Sequence, residues 1–521
     1  KLDNPYETFK DFYTKDYQKF VEYNIQDVEL VDKLEDKMKL IELCLTMAYE
    51  AKVNYTDVYS QVRCWDTIIY NHLLKKNIII PPREDHDKDT QYEGAYVKDP
   101  QLGLHNWIVS FDLNSLYPHL IMQYNLSPET LVGVQPKNMG VENYLNEKFN
   151  LQWARDKNVT VAPNGSMYRR DKQGFLPELM EKMYGDRVVF KKKTIEAKKE
   201  FQKTKDPIYK NEISRCNNIQ MAKKIALNSA YGAIGNQYFR YFDVRIAEAI
   251  TLGGQLSIRW VERDVNKFMN KLLNTDNVNY VVASDTDSIY LKLDKLVEKV
   301  CKDKSPQQIT DFINKAAEDK IQKVIDDSFN NLAKYVNAYQ QKMIMKREAI
   351  ANKAIWVAKK RYMMNVFDEE GIRFDIPKLK IMGVEAVKSS TPEVCRGKIK
   401  DAIRVIMNDS EDALIKFVAD FKEVFKTLSP EEVAFPRSCN YIDKYVDPNS
   451  IYKKGTPIHV KGALIYNHHI LKNKLQRKYP LIKDGDKIKF LMLRQPNTVK
   501  DTVISFSTKI PYEFDLHKYV D

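Results

Sequence analysis

The chain's 521 residues are too many for one hydrophobic core, so two to four domains are expected, and its 43% hydrophobic and 30% charged residues are those of a folded globular protein. No apolar run approaches the length of a membrane span and no signal peptide opens the chain, while 83 Lys/Arg against 71 Asp/Glu give a net charge of +12, pointing to a polyanionic partner. The six cysteines are scattered with no CxxC pair, which argues against a zinc knuckle or disulfide framework and for a reducing compartment.

In chain order, residues 16–75 read as helical, with apolar residues at spacings of three and four. Pro81-Pro82 and the polar run 83–91 read as a boundary or linker. "NWIVSFDL" (106–113) reads as a buried strand and "NSLYPHLIMQYN" (114–125) as a helix entered or broken at Pro118. A turn-rich stretch leads to long helical patterns at 176–204 and 212–236, joined across Asp206-Pro207, and a further helix at 243–273. "YVVASDTDSIYLKL" (280–293) alternates into a tight hairpin. A charged helix follows at 305–340, then strands at 354–368, then from 392 a helical pattern that becomes irregular and basic up to Asp521.

Asp285 and Asp287 stand at the tip of that hairpin, where like charges repel unless a cation lies between them. By itself the corner reads equally as a solvated turn, and Asp112, at the end of its apolar strand, equally as a helix cap. If the two strands are neighbours, three carboxylates converge, a donor set suited to Mg²⁺, which borrows one or two carboxylates plus substrate phosphates. The charged helix pair supplies the complement. Between Glu181 and Lys224 there are thirteen Lys/Arg and six Asp/Glu, a net +7. Arg187 and Lys191 are four apart, as are Lys224 and Asn228, with Tyr231 three further on, so each set shares a helix face. Antiparallel helices could present Arg187, Lys191 and Lys224 to one triphosphate. No GxxxxGK[ST] loop is present, which disfavours a P-loop NTPase.

"FDLNSLYPHLI", "KKIALNSAYGAIGN" and "SDTDSIY" resemble, in order and spacing, the three polymerase motifs of family B DNA polymerases, and "VAKKRYMMNVFD" and "PKLKIMGVEAVKSSTP" look like the family's later Lys-x-Tyr motif and palm-to-thumb passage. The chain is similar, from about Tyr17 to its end, to the replicative enzymes of T-even-type bacteriophages. The resemblance implies an α+β right-hand polymerase fold of palm, fingers and thumb, preceded by the C-terminal end of an RNase H-like exonuclease domain. It places the exonuclease end at 1–40, a joining helical segment at 41–83, the palm at 84–173 and 237–390, the fingers at 174–236 and an incomplete thumb at 391–521.

The resemblance further implies DNA-directed DNA polymerase activity in phage DNA replication, in the cytoplasm of an infected bacterium, with two Mg²⁺ ions held by Asp112, Asp287 and Leu113 and with Asp285 beside them in a lesser role. Arg187, Lys191, Lys224 and Asn228 would grip the incoming triphosphate. The backbone amides from Leu113 to Leu116, Ser115 among them, would touch its tail, and Tyr117 would pack under the sugar and leave no room for a 2′-hydroxyl. Tyr231 would lie near the nascent base pair, Lys360 and Tyr362 would hold the primer strand, Lys378 and Lys380 the duplex minor groove, and Tyr92 and Gly94 the template. Implied partners are primer-template DNA, deoxynucleoside triphosphates, a sliding clamp and a single-strand-binding protein, with no membrane. The chain departs from the family at Ser284, where glycine is usual, at His119, where the phage enzymes tend to have serine, and in a shorter fingers segment. A primase-like enzyme would share the metals, and a silent nucleic-acid-binding subunit would need no Asp112/Asp287 pair.

Tyr23 and Asp27 in "YNIQDVEL" match the spacing of the final exonuclease motif, Tyr-x-x-x-Asp. The chain starts at Lys1, not Met, and no strand-borne Asp-x-Glu precedes Asp27. One carboxylate cannot hold two ions. The expectation is a polypeptide that extends primers without removing a mismatched 3′ end, as a fragment of a longer proofreading enzyme or as one part of a split enzyme whose separate exonuclease-bearing chain supplies the missing acids.

Overall fold

The structure, a computed structural model, describes residues 9–84, 91–135 and 139–520, the side chains at 202 and 517 excepted. The linker expected at 83–91 therefore falls largely outside the described residues. The apolar spacing near the start resolves into α1 (Phe9–Lys15), α2 (Tyr17–Met38), α3 (Leu40–Ala51) and α4 (Gln61–Leu74), interrupted at Lys39 and Lys52, both left-handed. Next come β1 (Gly103–Leu113), α5 (Leu116–Tyr124), β2 (Leu131–Val134), α6 (Val141–Leu145), α7 (Gln152–Asp156), β3 (Val159–Val161) and β4 (Ser166–Arg169). Pro118 does not break α5, because it falls in the first turn, where a missing N–H costs nothing.

The long helices are α8 (Phe175–Thr204), α9 (Pro207–Ile234) and α10 (Val244–Leu273). α9 starts at Pro207, five residues before the expected 212, because Asp206 caps it, accepting the Ile208 amide at 2.9 Å, and proline is pre-set for the first helical position. The hairpin follows as β5 (Val281–Asp285) and β6 (Ser288–Lys292), then α11 (Asp294–Val300), α12 (Pro306–Ala316) and α13 (Gln322–Tyr335). β7 (Met345–Ala358), β8 (Arg361–Glu369) and β9 (Ile372–Met382) complete a six-stranded sheet of order β5-β6-β1-β7-β8-β9, while β2, β4 and β3 make a small separate one. β7 begins earlier than the expected 354.

The remainder is α14 (Glu393–Asn408), α15 (Glu411–Phe425), α16 (Pro430–Val433), β10 (Phe435–Ser438), α17 (Ile458–Lys472), β11 (Lys487–Met492) and β12 (Val503–Phe506), the last three strands forming a sheet that the sequence reading left as irregular chain.

The chain divides into two compact units. The larger comprises Leu34–Lys359 and Val366–Lys378, the smaller Lys1–Lys33, Lys360–Asn365 and Leu379–Asp521. The larger unit has a core in which α5 and α10 pack against the sheet, with Phe111, Leu120, Ile250 and Ile289 fully buried. The smaller unit has its own core around α17 and β12, centred on Val460, Ile465, Ile504 and Phe506. Also in the smaller unit, Gly383 has φ +66, and a Cβ there would lie 2.1 Å from the Lys360 carbonyl oxygen. Gly383→Ala is expected to destabilise this unit by about 2 kcal/mol, since both the left-handed backbone and the clash penalise a side chain. Chemical denaturation followed in that unit checks this, and an unmoved midpoint would refute it.

Candidate active site

β1 lies in the sheet between β6 and β7, with Asp112 opposite Ser288 on one side and Lys346 on the other. The hairpin between β5 and β6 turns in two residues, Thr286 and Asp287, and Thr286 sits at φ 56, a costly conformation for a β-branched residue. Its amide donates to the Tyr96 carbonyl at 3.0 Å, and the Asp287 carbonyl accepts the Leu113 amide at 2.8 Å, so strand end and hairpin tip are locked together. Asp112 and Asp287 accordingly line one cleft. Asp285 does not line it. It ends β5, bridges to Val97 and accepts the Thr286 hydroxyl at 3.1 Å. Of the three expected acids, Asp112 and Asp287 stand on the cleft wall, and Asp285 stands beside Asp287 at the base of the turn, its carbonyl accepting the Asp287 amide at 2.6 Å. The further acid on the cleft wall is Glu370, on the β8–β9 turn, which sequence reasoning missed because Glu-Glu-Gly reads as an ordinary turn. That turn is fixed by buried Asp368, which pairs with Arg347 and Arg373 and accepts the Gly371 amide at 3.0 Å.

The opposite wall is helical. Arg187, Lys191 and Lys192 from α8 and Lys224 and Asn228 from α9 line the same cleft of about 780 Å³. α8 is held at its start by the loop after α5: Asn125 Oδ1, Glu129 Oε1 and Ser127 Oγ accept the amides of Gly174, Phe175 and Leu176. Arg187 Nη1 donates to Ser115 Oγ at 3.2 Å, and its Nε is buried without a hydrogen-bond partner among the described residues. A buried unsatisfied guanidinium donor is what an anion entering this cleft would satisfy.

Ser115 itself is left-handed, φ 45, and turns the chain from β1 into α5. Its amide and those of Leu116 and Tyr117 open the helix, where no intrahelical acceptor exists. The Leu113 and Asn114 amides, in contrast, are committed to the carbonyls of Asp287 and Ile344, so the expected row of phosphate-facing amides from Leu113 to Leu116 shortens at its start. His119 is buried against Tyr184, with ring centroids 4.5 Å apart. Its Nδ1 lies 3.0 Å from the Ser115 carbonyl and so carries the proton. Burial above all, with the charges of Lys342 and Arg187 in the same direction, holds its pKa below the ordinary histidine value.

Tyr117 packs edge-on to Tyr231 at 4.7 Å, and the Tyr231 and Tyr92 hydroxyls are 3.3 Å apart. Tyr117 lies against α10, where a Cβ on Gly254 would be in ordinary contact with its Cε1 at 3.5 Å. Burial and then the Asp287 charge raise the Tyr117 pKa, while burial and the Tyr92 hydroxyl raise that of Tyr231. Both phenols therefore stay neutral at pH 7. Gly94 is tied in by its carbonyl, which accepts from Gln255 Nε2 at 2.7 Å.

The remaining expected residues lie elsewhere. Lys360, φ 59, and buried Tyr362 belong to the smaller unit, as does Lys380. Lys378 belongs to the larger, where it is engaged by Glu369. Tyr23 is a core aromatic of the smaller unit, packed edge-on to Phe9 and Phe12 at 5.8 and 5.7 Å, and Asp27 lies one turn further along α2.

Among the described residues no group of three or more His, Cys, Asp or Glu side chains could hold a metal ion. Two carboxylates on a solvent-reaching cleft still fit Mg²⁺, whose octahedral shell is usually completed by waters and substrate phosphates rather than by an all-protein cage.

The profile described as DNA polymerase family B matches residues 53–513. The chain belongs to DNA polymerase family B. It is 33% identical, over 97% of its length, to the DNA-directed DNA polymerase of Escherichia phage RB69, and 32% identical over 97% to that of Enterobacteria phage T4. DNA polymerase 1 of Pyrococcus abyssi (strain GE5 / Orsay) is 24% identical over 97% of the chain and is matched over 56% of its own length. The chain spans 60% and 61% of the lengths of the two phage proteins. Family membership implies dependence on a divalent metal. Among the described residues no helix is long and apolar enough to cross a membrane.

Proposed function

We propose that this chain carries template-directed DNA synthesis in phage DNA replication: a primer 3′-hydroxyl attacks the α-phosphorus of a bound deoxynucleoside triphosphate, and pyrophosphate leaves. The observation that carries this reading is one cleft with Asp112 and Asp287 on a strand-borne wall and Arg187, Lys191 and Lys224 on a helical wall, in a family B chain. The six-stranded sheet with α10 then acts as palm, the α8–α9 pair as fingers, and 391–521 as thumb.

Arg187, Lys191 and Lys224 bind the triphosphate and neutralise it during transfer, with Asn228 on the same face and the Ser115, Leu116 and Tyr117 amides at its tail. Asp112, Asp287 and the Leu113 carbonyl would hold two Mg²⁺ ions, and the chemistry these supply when bound is activation of the hydroxyl and stabilisation of charge on the reacting phosphorus. Asp285 supports the hairpin that carries Asp287. Tyr231 and Tyr92 flank the nascent pair and, with Gly94, the template. Lys360, Tyr362, Lys378 and Lys380 contact primer and duplex, mainly through phosphates, which position DNA without reading its sequence.

A primer-extension assay with Mg²⁺ and the four deoxynucleoside triphosphates tests the reading, and no extension at any divalent-ion concentration would overturn it. The sugar gate gives a sharper readout. Tyr117→Ala removes the ring that would abut a 2′-hydroxyl, so discrimination against ribonucleotides should fall by about tenfold or more. Competing incorporation of ribo- and deoxynucleotides measures it; an unmoved ratio would leave Tyr117 as packing for Tyr231 alone.

A further inference from the structure

The helices that carry Arg187 and Lys224 are tied down on another face by a second ionic cluster. Lys223, immediately before Lys224, is 8% exposed. Its Nζ lies 2.7 Å from Glu50 Oε2 on α3 and 3.2 Å from Asp186 Oδ2 on α8. Asp186 in turn immediately precedes Arg187. Successive helical residues leave the axis about 100° apart. Arg187 and Lys224 accordingly line the phosphate cleft, whereas Asp186 and Lys223 line a separate cavity of about 330 Å³ together with Glu50, Trp65 and Met183. α3 makes another tie two turns earlier on the same face, where Glu42 Oε2 accepts from Ser214 Oγ at 3.0 Å and Asn218 Nδ2 at 2.8 Å.

We propose that Glu50, Lys223 and Asp186 form a positioning cluster for triphosphate binding. The inference rests on the polymerase reading above and adds residues that never touch the nucleotide. Lys223 joins α8 to α9 one residue from each gripping cation, so it fixes the axial register in which Arg187 and Lys224 meet the same phosphates. Its Glu50 contact anchors that register to α3. A buried ammonium has no water to replace its partners. The two carboxylate side chains, 35% and 43% exposed, can turn to solvent. The lever is therefore Lys223, and losing its charge releases both contacts at once.

Steady-state kinetics and thermal denaturation of the full chain test this with Lys223→Met, Lys223→Arg and Glu50→Gln. Lys223→Met keeps the stem and removes the charge; KM for the deoxynucleoside triphosphate should rise about tenfold with kcat within about twofold, the signature of lost ground-state binding. Lys223→Arg should bring KM back to within about threefold, and Glu50→Gln, which leaves Asp186 in place, should raise it about threefold. A folded Lys223→Met with lower thermal stability but KM unchanged would make the cluster a staple only and overturn the inference. If Lys223→Met does not fold, an unchanged KM in Glu50→Gln overturns it equally. A wild-type chain that does not extend primers would overturn the polymerase reading and this inference with it, and Arg187→Ala with unchanged kcat/KM would overturn the grip on which the inference rests.

Discussion

Asp112→Ala and Asp287→Ala are each expected to lower nucleotide addition by roughly three orders of magnitude or more, about 4 kcal/mol of barrier, while primer-template binding stays within about threefold of wild type. The two carboxylates come from separate chain segments and are brought to one cleft by the Leu113–Asp287 backbone hydrogen bond, so each supplies a donor that the other cannot replace. Single-turnover extension of a labelled primer, with a DNA-binding titration beside it, separates the two quantities. Near-normal extension by either variant would remove that residue from the reaction. Asp285→Ala should be milder, as expected of a residue at the base of the hairpin that accepts the Thr286 hydroxyl.

The second large effect is expected on the helical wall. Losing one charge-assisted contact to phosphate costs about 1.5–3 kcal/mol, so Arg187→Ala and Lys224→Ala should each reduce kcat/KM by about one to two orders of magnitude. Arg187→Ala also frees Ser115 Oγ from its 3.2 Å contact, so Arg187→Lys should recover only part of the loss: a lysine restores charge but not the fork. Pre-steady-state incorporation at varied nucleotide concentration is the measurement, and values within twofold of wild type for both alanine variants would refute the grip.

The parts of this site that were legible in the sequence are those whose signal is local. β1 and the β5–β6 hairpin announce themselves by dense apolar, β-branched runs around acidic ends. The α8–α9 pair announces itself by charge and by four-residue spacing. What was not legible depends on pairing between distant segments. Which acids reach the cleft at the end of β1 is decided by how the hairpin tip and the β8–β9 turn face it, and neither turn encodes that alone. The use of the Leu113 and Asn114 amides by Asp287 and Ile344 is likewise a property of the assembled sheet. β9 escaped notice although Ile372, Phe374 and Ile376 alternate, because Pro377 interrupts the run and none of its residues is buried, and β10–β12 because short strands among loops leave little pattern. Tyr23 matched a motif by spacing, and its place in the structure is an aromatic cluster with Phe9 and Phe12.

The helix pair is long compared with the stretch that does its work. From Lys191 to Lys205, at the turn into α9, is 14 residues, roughly 20 Å at 1.5 Å per residue. α8 is fastened at its other end by Asn125, Ser127 and Glu129 and braced at Asp186 by Lys223, and α9 is tied to α3 again at Ser214 and Asn218. A beam held along one side moves most beyond its last tie, here the segment from Ser214 back to Pro207 and the turn before it. A tilt at the phosphate-facing cations would become a larger excursion at exposed Lys205 and Asp206, so on the polymerase reading proposed above a dye attached to that turn is expected to report nucleotide capture with built-in mechanical gain.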